Sequence, residues 1–151
     1  MKRTGQDISA QKLVMLVDDS SIDNFINQNT IVNYKFSEKV ISFTIAAEAL
    51  EYLSDLDEAC IHPEKVPSFI FLDLRMPLIS GFAFLERFDK FSAFIRSRCR
   101  IVILTNSSDT YTHDEHKTNK HVFMFLQKPL LKTDLEKLNV ALKKKLKTIV
   151  K

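Results

Sequence analysis

The stretch that most constrains this chain is Ser68 to Gly81, SFIFLDLRMPLISG, in which Phe69, Ile70, Phe71 and Leu72 run unbroken into one carboxylate, Asp73. An apolar run with no polar alternation reads as a strand buried on both faces, as in a parallel sheet covered by helices. Asp73 then stands at the carboxyl end of that strand, where open α/β sheets bind ligands in the crevice beyond the strand tips. Pro77 ends regular structure soon after, and Gly81 is expected to supply an unusual backbone angle before the next helix. With nothing else converging on it, Asp73 would be read as a carboxylate that caps a turn.

Other runs do converge. Leu13 to Ser20, LVMLVDDS, ends in Asp18 and Asp19; Arg100 to Thr105, RIVILT, ends in a hydroxyl; Val122 to Pro129, VFMFLQKP, ends in Lys128. If the first two acid-bearing strands are neighbours in the sheet, Asp18, Asp19 and Asp73 share one crevice. Carboxylates that close raise one another's pKa, so they do not all stay ionised unaided. A hard divalent cation relieves them, and Mg²⁺ typically takes one or two carboxylates and keeps several waters.

The length of 151 residues suits one domain, and a domain of this size buries roughly two-thirds of its unfolded surface. At 45% hydrophobic and 27% charged, the composition is that of an ordinary globular protein. No apolar stretch approaches a membrane span or resembles a signal peptide. Cys60 and Cys99 are far apart and form no metal-like pair, which fits reduced thiols and a cytoplasmic location. The only glycines are Gly5 and Gly81, which excludes a Gly-rich phosphate loop or dinucleotide fingerprint.

In chain order, residues 1–11 are polar and aperiodic and are expected to form a flexible lead-in to one domain spanning 12–151, with no separate output domain. Ser20 or Ser21 caps a first helix with Asp23 near its amino end, and Ile22, Phe25, Ile26 and Ile31 or Val32 form its expected apolar stripe. Val40 to Ile45 is expected as a strand beside the first, and Ala46 to Ala59 as a helix with Ala49, Leu50, Leu53 and Leu56 inward. His62 to Pro67 reads as a loop. Gly81 to about Phe91 is expected to be helical with Phe82, Leu85 and Phe88 inward, a continuation towards Arg98 being open.

Asn106 to Lys120 is almost wholly polar and offers little to bury, so any helix there should be short. His113 and His116 flank Asp114 and Glu115 but lack the wider spacing of a zinc-protease helix, and His62 and His121 stand alone; all four read as surface. Leu131 to Lys151 is the clearest amphipathic helix. Leu135, Leu138, Leu142, Leu146 and Ile149 form its stripe, with acids near its start and lysines near its end as the helix dipole favours. The lysines invite a nucleic-acid reading. A formal net charge of only +3, with no recognition helix or stacking aromatic, makes a solvated basic face the better one. The alternation of strands and helices points to a doubly wound parallel sheet.

The series Asp18-Asp19, then Asp73 with Met76-Pro77 and Gly81, then Thr105, then Lys128-Pro129 resembles the receiver domain of two-component response regulators, most nearly the chemotaxis-type single-domain regulators. The resemblance implies a flavodoxin-like sheet of order 2-1-3-4-5 and a phosphoacceptor role for Asp73. It implies Mg²⁺ held by Asp19 and Asp73, by Asp18 through water and by the backbone carbonyl of Arg75. Thr105 and Lys128 would answer the phosphoryl charge, and Thr105 with Phe125 would form a switch. Three carboxylates, one Mg²⁺ and one ammonium balance, so a phosphoryl group would leave about one negative charge in excess. The implied partners are a sensor histidine kinase or histidine phosphotransfer protein, with an unidentified protein target, and a monomer or phosphorylation-dependent dimer; no nucleic acid or membrane is implied. A pseudo-receiver that ignores phosphate and an aspartate-nucleophile phosphatase are the competing readings. The phosphatase would place a second acid two residues after Asp73, where this chain has Arg75. Asn106 is larger than the usual alanine after Thr105, and Phe125 lacks the hydroxyl of a tyrosine at the switch position.

Overall fold

The computed structural model describes residues 10–106 and 119–150, with side chains described as far as Lys145. The strands β1 (Gln11–Val17), β2 (Ser37–Phe43), β3 (Phe69–Asp73), β4 (Arg100–Thr105) and β5 (Val122–Gln127) form one sheet of order β2-β1-β3-β4-β5. Every neighbouring pair is parallel. The helices are α1 (Ser21–Tyr34), α2 (Ala46–Ala59), α3 (Gly81–Phe88), α4 (Ala93–Arg96) and α5 (Lys132–Val150), and a short 3-10 turn covers Pro63–Lys65. This is the flavodoxin-like doubly wound fold.

The unbroken apolar runs have a simple cause: both faces of the central strands are covered. Met15, Val17, Ile70, Leu72, Ile101 and Ile103 point to a core shared with Leu53 of α2 and Phe84, Leu85 and Phe88 of α3. Their alternating neighbours Val14, Leu16, Phe69, Phe71, Val102 and Leu104 point the other way, towards Ile31 of α1 and Leu135 and Leu138 of α5. Each such side chain contributes about 1.5–3 kcal/mol of burial free energy, which fixes the strand register and so the height of the residues at the strand tips.

Several local expectations need correction. The α1 stripe is out of phase: Ile22, Phe25, Ile26 and Val32 are exposed, and Asn24, Asn27 and Ile31 are buried. The phase is set by hydrogen bonds, because the Asn24 amide satisfies Asp18 O and Phe43 O at the ends of β1 and β2, and the Asn27 amide satisfies Leu130 N in the loop after β5. β2 starts and stops earlier than its apolar letters suggest, since Ser37 pairs with Gln11 and Phe43 is the last paired residue. Gln11 thus belongs to β1 rather than to the lead-in.

In α3 the buried aromatics are Phe84 and Phe88, while Phe82 is half-buried. The helix stops at Phe88, and Ser92, held by Asp57 of α2, caps the separate α4. α2 matches its expected limits and buried face. The polar stretch with His113 and His116, most of the lead-in, and the side chains of Leu146 and Ile149 lie outside the described residues.

Candidate functional site

The carboxyl ends of β1, β3, β4 and β5 meet at one edge of the sheet. Val17 pairs with Leu72, which places Asp18 and Asp19 beside Asp73, the last residue of β3. Asp18 is fixed from several sides. Its backbone N–H donates to Phe43 O at 3.1 Å, and its Oδ1 accepts from Ser20 N at 2.9 Å. Asn24 Nδ2 donates to both Asp18 O and Phe43 O at 3.2 Å. Ser20 caps α1 by accepting from Asp23 N at 3.1 Å, so the helix begins directly behind the acids.

After Asp73 the chain makes a tight turn. Arg75 N lies 3.4 Å from Asp73 Oδ1, and Gly81 N donates to Leu74 O at 2.9 Å. Gly81 has an ordinary backbone angle; the left-handed residue of this loop is Leu78, with φ of 69°. Glycine is required at 81 for space instead, since a Cβ there would lie 2.8 Å from Leu74 Cα and 3.1 Å from Asp73 O.

Lys128 follows β5 with its backbone N–H donating to Thr105 O at 2.8 Å. Its ammonium lies 2.7 Å from Asp18 Oδ2, 3.2 Å from Asp23 Oδ2 and 3.3 Å from Asp73 Oδ1. The Lys128–Pro129 peptide is cis, and Leu130 N donates to Asn27 Oδ1 at 3.0 Å. Thr105 is half-buried at the tip of β4, one residue beyond the partner of Asp73, and meets Lys128 through its carbonyl. Phe125 is half-buried opposite Ile103 and packs on the core layer containing Phe84. The Arg75 residue is exposed.

Asp18 and Asp73 are buried and Asp19 is exposed. Burial, and then the charge of Asp18, push the Asp73 carboxyl up to about 6. Burial also raises Asp18, against the hydrogen bond from Lys128. Burial pulls the Lys128 ammonium down, but its hydrogen bond to Asp18 and the charges of Asp18 and Asp73 outweigh it and hold the ammonium well above the usual lysine range. Carboxylate oxygens of Asp18, Asp19 and Asp73 all lie within 4.8 Å of one another. This all-oxygen anionic donor set, with two of its carboxyls raised chiefly by burial and secondarily by neighbouring carboxylates, fits a hard divalent cation.

The residues that sequence reasoning passed over all lie on α1. Asp23 was expected only as a complement to the helix dipole, and Asn24 and Asn27 carried no signal at all. A cap at Ser20 puts Asp23 in the first helical turn, one turn after Asp19, which was the available clue. Counting Asp23, an Mg²⁺-loaded site would carry one negative charge in excess rather than balance.

Residues 14–139 match the family described as response regulator receiver domain. A two-component response regulator from Cytophaga hutchinsonii superposes with a TM-score of 0.77 at 27% identity, covering 89% of this chain and 98% of that one. A response regulator receiver protein from Dyadobacter fermentans gives a TM-score of 0.73 at 25% identity over 88% and 96% of the two chains. A chemotaxis response regulator of Vibrio cholerae shares the fold, with a TM-score of 0.65 at 21% identity over 87% and 99%. No curated protein sequence matches this chain. The chain belongs to the response regulator receiver domain family.

Proposed function

We propose that this receiver domain accepts a phosphoryl group on Asp73 from a phosphohistidine of a sensor kinase or phosphotransfer protein, in an Mg²⁺-dependent reaction. The modified protein then signals through phosphorylation-dependent binding of a protein partner or passes the group onward. The observation that carries this reading is the shared seat of Lys128 on Asp18 and Asp73, beside a third carboxylate, Asp19. Receiver domains are phosphoacceptor modules that work with histidine kinases and phosphotransfer proteins in general, and that family membership supports the same role here.

In the reaction an oxygen of Asp73 forms a bond to phosphorus while the phosphorus–nitrogen bond of the donor breaks, and the imidazole leaves with its electron pair and takes up a proton. Asp19, Asp73 and the Arg75 carbonyl, with Asp18 through water, would hold Mg²⁺. Bound there, it would neutralise charge on the phosphoryl oxygens and on the attacking carboxylate. Lys128 supplies a positive charge 3.3 Å from Asp73 Oδ1, and Thr105 supplies a hydroxyl from the neighbouring strand tip.

Replacing one carboxylate charge by roughly two phosphate charges draws the ammonium and hydroxyl inward. An ion pair at about 4 Å contributes on the order of a few kcal/mol before desolvation. That is the scale of the about 5.5 kcal/mol needed to move a two-state population from 1:99 to 99:1. We assign Phe125 as the ring that follows Thr105, and identical ring contacts in apo and phosphorylated crystals would end that assignment.

Ile22, Phe25 and Ile26 form an exposed apolar stripe on the first turns of α1, next to Asp19. Such a patch beside a reactive crevice supports docking of the donor there. The reading is tested by Mg²⁺-dependent labelling with acetyl phosphate or a cognate kinase. Labelling is expected in the wild type and abolished in Asp73→Asn; undiminished labelling of the variant would place the nucleophile elsewhere.

A further inference from the structure

We propose that Asp23 is a positioning residue for Lys128: it draws the ammonium towards solvent and away from Asp73, favouring cation entry before phosphorylation and opposing the bound phosphoryl group after it. The inference rests on the phosphoacceptor reading above and adds a residue to it.

Three carboxylates share one ammonium, and they are not equivalent. The side chains of Asp18 and Asp73 are each 5% exposed, whereas that of Asp23 is 39% exposed at 3.2 Å from Lys128 Nζ. Solvated pairs hold far less tightly than buried ones, so the Asp23 contact is the one that yields when the charge at Asp73 grows. The placement of Asp23 is built rather than incidental. Its backbone N–H donates to the Ser20 cap, and one turn later Asn27 Oδ1 accepts from Leu130 N. α1 therefore grips the Lys128–Leu130 segment twice, by side chain and by backbone.

The charges give opposite signs for two ligands. An ammonium pressed onto Asp18 and Asp73 competes with a cation for the same oxygens, and Asp23 relieves that competition while adding a negative charge of its own. An anionic group on Asp73 needs the ammonium, and there Asp23 is a competitor. Asp23→Asn should therefore weaken Mg²⁺ binding and strengthen binding of an acyl-phosphate mimic. A residue that merely supported the fold would weaken both.

The experiment titrates the full chain with Mg²⁺ alone, then with beryllium fluoride at saturating Mg²⁺, by amide NMR at low ionic strength, for wild type, Asp23→Asn and Asp23→Glu. Relative to wild type, Asp23→Asn should show about two- to fivefold weaker Mg²⁺ binding and about two- to fivefold tighter beryllium fluoride binding, the range for a solvated pair. Both shifts should shrink at about 1 M salt, where the screening length is about 3 Å. Asp23→Glu should stay near wild type. Shifts of the same sign, no shift, or shifts that persist in high salt would overturn the inference. Failure of the wild type to bind beryllium fluoride at all would instead overturn the phosphoacceptor reading.

Discussion

The ammonium of Lys128 lies 2.7 Å from the Oδ2 of Asp18, a contact that ties the loop after the edge strand β5 to the loop after β1, across the tips of the two intervening strands β4 and β3. With the same ammonium 3.3 Å from Asp73, one cation compensates two carboxylates that are otherwise buried together.

Lys128→Ala removes that compensation and leaves Asp18 facing Asp73. Breaking a buried pair on one side leaves uncompensated charge, and the loss is expected to be about 3 kcal/mol at neutral pH. Millimolar Mg²⁺ should restore part of it by binding only the folded state. Urea melts of wild type and variant with and without Mg²⁺ check this; equal midpoints in metal-free buffer would show that Lys128 is not what balances the acids.

The pH dependence of stability carries a second prediction. The Asp73 carboxyl rises from 3.8 unfolded to about 6 folded, so between those values the native state binds more protons than the unfolded one. Stability in metal-free buffer should therefore fall as pH rises through that window, by the linkage relation. Asp73→Asn mimics the protonated form. It is expected to stabilise the metal-free protein by about 1–3 kcal/mol above about pH 7, with little effect near about pH 4. Denaturation midpoints across that range check it, and a destabilised variant at the upper end would contradict it.

Gly81→Ala tests the turn that presents Asp73. The added methyl would meet the Leu74 side chain at Cδ2, 2.8 Å away, and also backbone atoms that yield less readily, Leu74 Cα at 2.8 Å and Asp73 O at 3.1 Å. The expected loss is about 1–3 kcal/mol in a chemical melt, with weaker Mg²⁺ binding because Asp73 is displaced. Wild-type stability and affinity would show that the loop relaxes freely.

On α1, Phe25→Ser and Ile22→Ser change side chains that are 65% and 69% exposed, so stability should stay within about 0.5 kcal/mol of wild type. If the stripe receives the donor protein, transfer from the kinase should slow while labelling by acetyl phosphate is unchanged. Equal slowing with both donors would mean that the substitutions disturb the site itself.

The fold was legible because strand burial writes itself plainly into sequence: β3 and β4 are continuous apolar runs, and both end where the letters turn polar. α2 was legible for the same reason, its leucines falling on one face. α1 was not, because its inward face includes Asn24 and Asn27, amides that sequence patterning assigns to solvent and that here close backbone groups at the ends of β1 and β2 and in the loop after β5. Asp18, Asp19, Asp73 and Lys128 could be named because each ends a run, but Asp23 lies inside a helix and reaches the site only through the phase of that helix. Gly81 was noticed for the wrong property, since backbone proximity and not backbone angle demands it.

The most direct measurement identifies the modified residue. The protein is incubated with Mg²⁺ and acetyl phosphate, reduced with borohydride to trap any acyl phosphate, and digested for peptide mass spectrometry. The expected result is reduction confined to Asp73, absent without Mg²⁺ and absent in Asp73→Asn. Modification at Asp18, Asp19 or Asp23 instead, or labelling that proceeds equally without Mg²⁺, would contradict the account.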